Sequence, residues 1–163
     1  MAATVQIIEK NGAGGTPTDK TSGTVRFKKA DNSTVDLNNP LVKPASGSDW
    51  SFQKWLRLNI TGGTFTQISN LKAYMDGSSG FGTGVNLWGK ANATYATPAQ
   101  ETASTGYANM FTYTSGSPLS LGAGPFTGTG EKGDHLQMAM EITSAAAGGL
   151  TPTETLTIGW DEI

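Results

Sequence analysis

The chain contains no cysteine and a single histidine, His135. Without cysteine there is no disulfide framework and no thiolate chemistry, which leans toward synthesis in a reducing cytosol. Common zinc sites draw on several Cys or His ligands, so one histidine all but excludes them. Charge is scarce as well: 15% of the 163 residues are charged and the net charge is −2. A duplex-binding protein carries a basic patch, and the only adjacent basic pair here is Lys28-Lys29, read as a solvated strand edge. Long apolar runs are missing too. No window approaches a membrane span, and Met1 to Lys10 lacks the basic and apolar regions of a secretory signal. The expectation is a single domain over residues 1–163 with no nucleic-acid partner and no membrane partner.

What replaces charge and hydrophobic bulk is Thr, Ser, Asn and Gly. Threonine suits a pleated surface, and Gly, Asn and Ser suit tight turns. Period-two patterning agrees. In His135 to Ile142, Leu136, Met138, Met140 and Ile142 share one face, while Gln137, Ala139 and Glu141 share the other. Thr155 to Asp161 repeats the pattern with Leu156, Ile158 and Trp160. The stretch Ala145 to Pro152 between them carries Gly and Pro, so the two segments are expected to form a terminal hairpin. Trp55 to Ile60 and Phe65 to Met75 alternate in the same way. Val5 to Ile7, Val85 to Trp88 and Ala108 to Tyr113 are shorter strands, and Thr24–Lys28 with Thr34–Leu37 reads as a hairpin around Asp31-Asn32-Ser33. Residues 11–22 read as a flexible arm or loop, and 76–84 and 115–133 as long Gly-rich loops. The only stretch that could be helical is Pro98 to Ala103. The expected class is all-β, an antiparallel β-sandwich of jelly-roll or immunoglobulin-like type with about nine strands.

Candidate chemistry is thin. His135 follows Asp134, but no serine sits in a nucleophile elbow, so a triad is unsupported and His135 is expected at a strand edge. Glu141 and Asp161 could face each other if their strands paired, which would suit glycoside chemistry; the plainer reading is charge on a wet face. Gly122 to Gly133 lacks the Gly-Lys-Ser/Thr of a phosphate loop, and a strand follows it instead of a helix. Asp76-Gly77 and Asp31-Asn32 lack the ligand spacing of a calcium loop. No cofactor and no metal are expected, and no catalytic residue. Trp50, Trp55 and Trp88 could line a sugar platform, with Trp160 in the core. Trp55 is out of phase with Leu56, Leu58 and Ile60, so it lies on the opposite face, exposed or under a loop.

Two stretches carry a resemblance: Trp50 to Phe65 running on through Ile68-Ser69-Asn70-Leu71-Lys72-Ala73-Tyr74, and the ending Leu156 to Ile163. In both, the chain resembles the small β-sandwich structural proteins of tailed-phage virions, head decoration (cement) proteins among them. The resemblance implies a non-catalytic protein, made in the host cytoplasm and placed on the outer surface of the capsid. It implies a homotrimer that binds and stabilises the shell of the major capsid protein. Neck or tail structural proteins and a carbohydrate- or receptor-binding module of a tail fibre are the alternatives. The residues expected at the partner contact are Gly14, Thr16, Phe81, Phe126 and Trp55, in or beside the arm and loops where chain order can follow binding.

Overall fold

The computed structural model describes residues 2–149 and 152–163. The protein is all-β, two packed antiparallel sheets forming a β-sandwich. In chain order the strands are β1 (Ala3–Asn11), β2 (Thr16–Asp19), β3 (Ser48–Trp50), β4 (Lys54–Gly63), β5 (Ile68–Tyr74), β6 (Val85–Asn92), β7 (Ala108–Asn109), β8 (Leu119–Gly122), β9 (Gly130–Thr143) and β10 (Thr157–Glu162). The large sheet runs β2-β1-β4-β9-β6-β7, and β3 pairs with the far end of β9 on the side that β4 occupies. The small sheet runs β10-β5-β8.

Strand β9 is the spine of the large sheet. Its inward residues Leu136 and Met138 join Leu56, Leu58 and Ile60 of β4 and Leu87 of β6 in the core, facing Leu71, Ala73 and Met75 from β5 and its end. Alternation at period two puts these apolar groups on one face, as the sequence pattern requires. The opposite face of β9 is not wet. Buried His135 and Gln137 lie beneath the segment that follows β6. The Tyr95 ring sits 5.8 Å from His135, and the Tyr107 hydroxyl accepts from Gln137 at 2.6 Å. A bridge between Phe52 and Gln100 holds this segment against the sheet.

The two sheets come close at Gly133, in the bulge that shifts β9 against β4. A Cβ there would lie 2.5 Å from the Leu121 carbonyl oxygen of β8 and 2.5 Å from Leu71 Cδ2, and φ is +69°. Only glycine meets both demands without strain.

Several expectations change. The terminal hairpin does not exist: β10 pairs with β5 in the small sheet, and β9 pairs with β3, β4 and β6 in the large one. The connection after β9 therefore crosses between sheets; its Leu150 and Thr151 lie outside the described residues. The hairpin over 24–37 is absent, and no strand forms between β2 and β3. Residues 11–22, read as an arm or loop, include the turn of a tight hairpin and β2, with Asn11 opposite Thr16. The stretch 108–113 is a two-residue strand followed by a 3-10 turn, whose Phe111 amide donates to Asn109 Oδ1. Within 115–133 lie all of β8 and the start of β9. Pro98 to Ala103 is not helical.

Candidate functional site

The small sheet is too narrow to cover the whole inner face of the large one. The strap of residues 20–47, between β2 and β3, covers much of the remainder. It is irregular because its polar groups are satisfied by side chains from below and by its own turns, not by a ladder. Its entry is fixed by the Lys20 amide donating to the Ile7 carbonyl at 2.7 Å, and its middle by the Phe52 amide donating to the Lys28 carbonyl at 2.9 Å.

Beneath it lies a buried ionic cluster. Glu9 of β1 and Lys54 of β4 are both 0% exposed, with Lys54 Nζ 3.0 Å from Glu9 Oε1. They share the inward parity of Ile7 and Leu56, beside apolar neighbours. Three lysines from three parts of the chain then converge on Asn32-Ser33-Thr34. Lys54 Nζ donates to the Asn32 carbonyl at 2.8 Å, and Lys20 Nζ donates to the Ser33 carbonyl at 2.8 Å. Lys28 Nζ donates to Asn32 Oδ1 and to the Thr34 carbonyl. Burial, and after it the Lys54 charge, pushes the Lys28 ammonium below the usual lysine range. Asp36 is held below the usual carboxylate range chiefly by the Asn39 side chain, which donates at 2.8 Å.

The anchored strap leaves apolar side chains exposed. Val35, Leu37 and Val42 are 60%, 86% and 57% exposed. Single exposed apolar residues are ordinary, but three on one pinned segment make a surface suited to a partner protein. The sequence did carry a signal for it. Leu37 and Val42 flank Asn38-Asn39-Pro40 and precede Lys43-Pro44, breaker-rich stretches in which apolar residues have no strand to join.

Of the residues expected at a partner contact, Gly14 and Thr16 are exposed, at the β1–β2 turn and the start of β2. Phe81 is half-buried in the β5–β6 loop, its ring 5.8 Å from Phe111 and edge-on to it. Phe126, in the β8–β9 loop, packs on the core beside its backbone bridge to Ile68. Trp55 is 1% exposed. Its ring lies edge-on to Tyr95 and His135, and its Nε1 donates to Gln53 Oε1, so it is closed off from any partner in this conformation. Gly14 and Thr16 share one hairpin, and Phe81, Phe126 and Trp55 come from three other parts of the fold.

The chemistry-bearing residues do not converge either. Trp50 is buried, and Trp88 is half-buried with Nε1 donating to Glu141 Oε2 at 2.9 Å. Glu141 also accepts from Ser48 and Asn86, and these bonds hold it below the usual carboxylate range against its burial. Asp161 lies in the other sheet, accepting from Asn70 at 2.6 Å. The pairing that would have set Glu141 against Asp161 is therefore not made. His135 is not at an edge; it sits in the central strand, six positions before Glu141 on the same face, on the order of 20 Å away. Its Nδ1 lies 3.3 Å from the Asn92 carbonyl, and its buried Nε2 has no partner among the described residues. Burial is the main cause of a pKa below the usual histidine range; the Arg57 charge comes next. A neutral imidazole wedged under two aromatic rings is a packing element.

The chain matches no protein-family model, and neither curated proteins nor solved structures give a match.

Proposed function

We propose that the protein is a non-catalytic structural protein of a tailed-phage virion, a decoration protein that binds and stabilises the shell of the major capsid protein. The observation that carries this reading is the strap, a segment anchored by a buried lysine cluster that leaves Val35, Leu37 and Val42 largely exposed. Ordering such a segment before contact reduces the entropy lost on binding. A rigid sandwich with one pinned adhesive surface suits a protein that bridges neighbouring subunits. A homotrimer on the outer surface would multiply weak contacts through avidity.

The test is to mix the purified protein with expanded shells that lack it, measuring bound copies and the melting temperature of the shell. Saturable binding with a raised shell melting temperature supports the reading. Absence of binding, or binding without change in shell melting, overturns it. Leu37→Asp should abolish binding while leaving the fold intact, because Leu37 is almost fully exposed. The sugar-binding alternative called for exposed Trp50, Trp55 or Trp88 along one groove; Trp50 and Trp55 are buried and Trp88 is half-buried.

A further inference from the structure

Between the strap and the inner face lies a cavity of about 870 Å³, inside the range of small-molecule sites. Its floor is formed by Ile7, Leu56, Leu87 and Met138, and Phe27 of the strap and Trp160 of β10 close over it. The cavity is open to solvent on one side, and its apolar floor is bordered by polar groups, Lys20, Thr24, Arg26 and Thr155 among them; an apolar cavity of only about 150 Å³ already takes up a hydrocarbon guest. The shape therefore calls for an apolar occupant.

The charges at its walls give that occupant a head group. Lys20 and Lys28 are engaged with Glu9 and with the Asn32–Thr34 backbone and side chains. Asp36 is taken up by Asn38 and Asn39. Glu154 turns its carboxylate against Gly80 in the β5–β6 loop. Arg26 is exposed, lines the same cavity, and has no ionic or hydrogen-bonded partner among the described residues. We propose that this cavity binds a single-chain anionic amphiphile, a fatty carboxylate whose tail lies between the sheets and whose head group meets Arg26. Guanidinium and carboxylate match in charge and in bidentate geometry.

The proposal stands apart from any role in a virion, since it rests on the cavity and on Arg26; Val35 and Leu37 of the strap line the same cavity. The test uses the delipidated full chain and two probes, the fluorescent polyene cis-parinaric acid and its neutral methyl ester. The wild type should bind the acid saturably. Arg26→Glu should weaken the acid about three- to tenfold, the scale of a partly exposed charged hydrogen bond, and leave the ester unchanged. Val25→Trp, at the half-buried cavity wall, should weaken both probes. Melting curves establish that each variant is folded, and Arg26→Glu should melt with the wild type. Failure of the wild type to bind the acid overturns the proposal. So does binding of acid and ester with the same affinity in both wild type and Arg26→Glu.

Discussion

Removing both partners of the Glu9–Lys54 pair should destabilise the protein far less than the sum of the two single removals. The two charges are 3.0 Å apart and fully buried. At an effective dielectric near 20 their attraction is about 5 kcal/mol, which roughly offsets the several kcal/mol needed to desolvate each ion. Once one is deleted, the other keeps its desolvation cost and loses the attraction, a loss of about 3–5 kcal/mol. Lys54→Met should fall near 3 kcal/mol, because Lys20 Nζ, 3.6 Å from Glu9 Oε2, remains as a weaker counter-ion. Glu9→Gln should fall near 5 kcal/mol, because no other carboxylate among the described residues is in salt-bridge contact with Lys54 or Lys20. The double variant should cost no more than Glu9→Gln alone, so the cycle should give a coupling of about 3 kcal/mol or more. Urea unfolding of the four proteins measures this directly. Hydrogen exchange on residues 20–47 supplies an independent readout, since losing the Lys54 bond to the Asn32 carbonyl should speed exchange in the strap before the strands. Single-variant costs below about 1 kcal/mol, additive within about 0.5 kcal/mol, would refute the assignment of the cluster as the anchor of the strap.

Other outcomes can be checked with the same protein. His135 titrates below its usual range in the fold, so the unfolded chain takes up the proton first: stability is full above about pH 6.5 and declines as pH falls below it. Urea unfolding from pH 7.5 to 5 should show that decline in the wild type and lose it in His135→Phe, and an identical slope in both would assign the decline to other groups. At the alkaline end, burial pushes the Tyr95 phenol up to about 12, and Tyr107 is raised further for the same reason. Both stay protonated in the fold while the unfolded chain ionises near pH 10, so stability should fall as pH rises above 10, and absorbance at about 295 nm should show two late-titrating tyrosines. Gly133→Ala should cost about 3 kcal/mol or more in thermal or urea unfolding, from the positive φ together with the approach to the Leu121 carbonyl. Leu37→Asp should shift stability by less than about 0.5 kcal/mol, as expected of a side chain with few contacts, whatever it does to shell binding.

Much of the sandwich was legible because alternation is local. Leu56, Leu58 and Ile60, or Leu71, Ala73 and Met75, declare their inner face within a few residues, and the structure buries all of them. The strap was misread for a matching reason. Val25 and Phe27, then Val35 and Leu37, alternate like a hairpin, yet no ladder joins them: all four line the cavity, Val25 and Phe27 half-buried, Val35 and Leu37 largely exposed. Asn32, read as the tip of a turn, is instead the acceptor for the ammonium groups of Lys28 and Lys54. The candidate contact residues were chosen for loop position and aromatic bulk, and neither criterion distinguishes Leu37, exposed on the strap, from Trp55, sealed beneath Tyr95.

By itself the sequence determined that the protein is a sheet protein without thiol chemistry and which faces of its main strands are apolar, because these follow from residue type and period. Strand partnership lay beyond it. The segments that become β9 and β10 are neighbours in the chain, linked by a Gly- and Pro-containing stretch, and read as a hairpin. They belong to different sheets because β5 offers β10 an edge, and β9 is already paired on both sides. Tertiary structure alone also decided that the second face of β9 is dry, that Glu9 and Lys54 meet beneath the strap, and that a cavity remains between the sheets. Each depends on which distant segment covers a surface, and local periodicity carries no record of that.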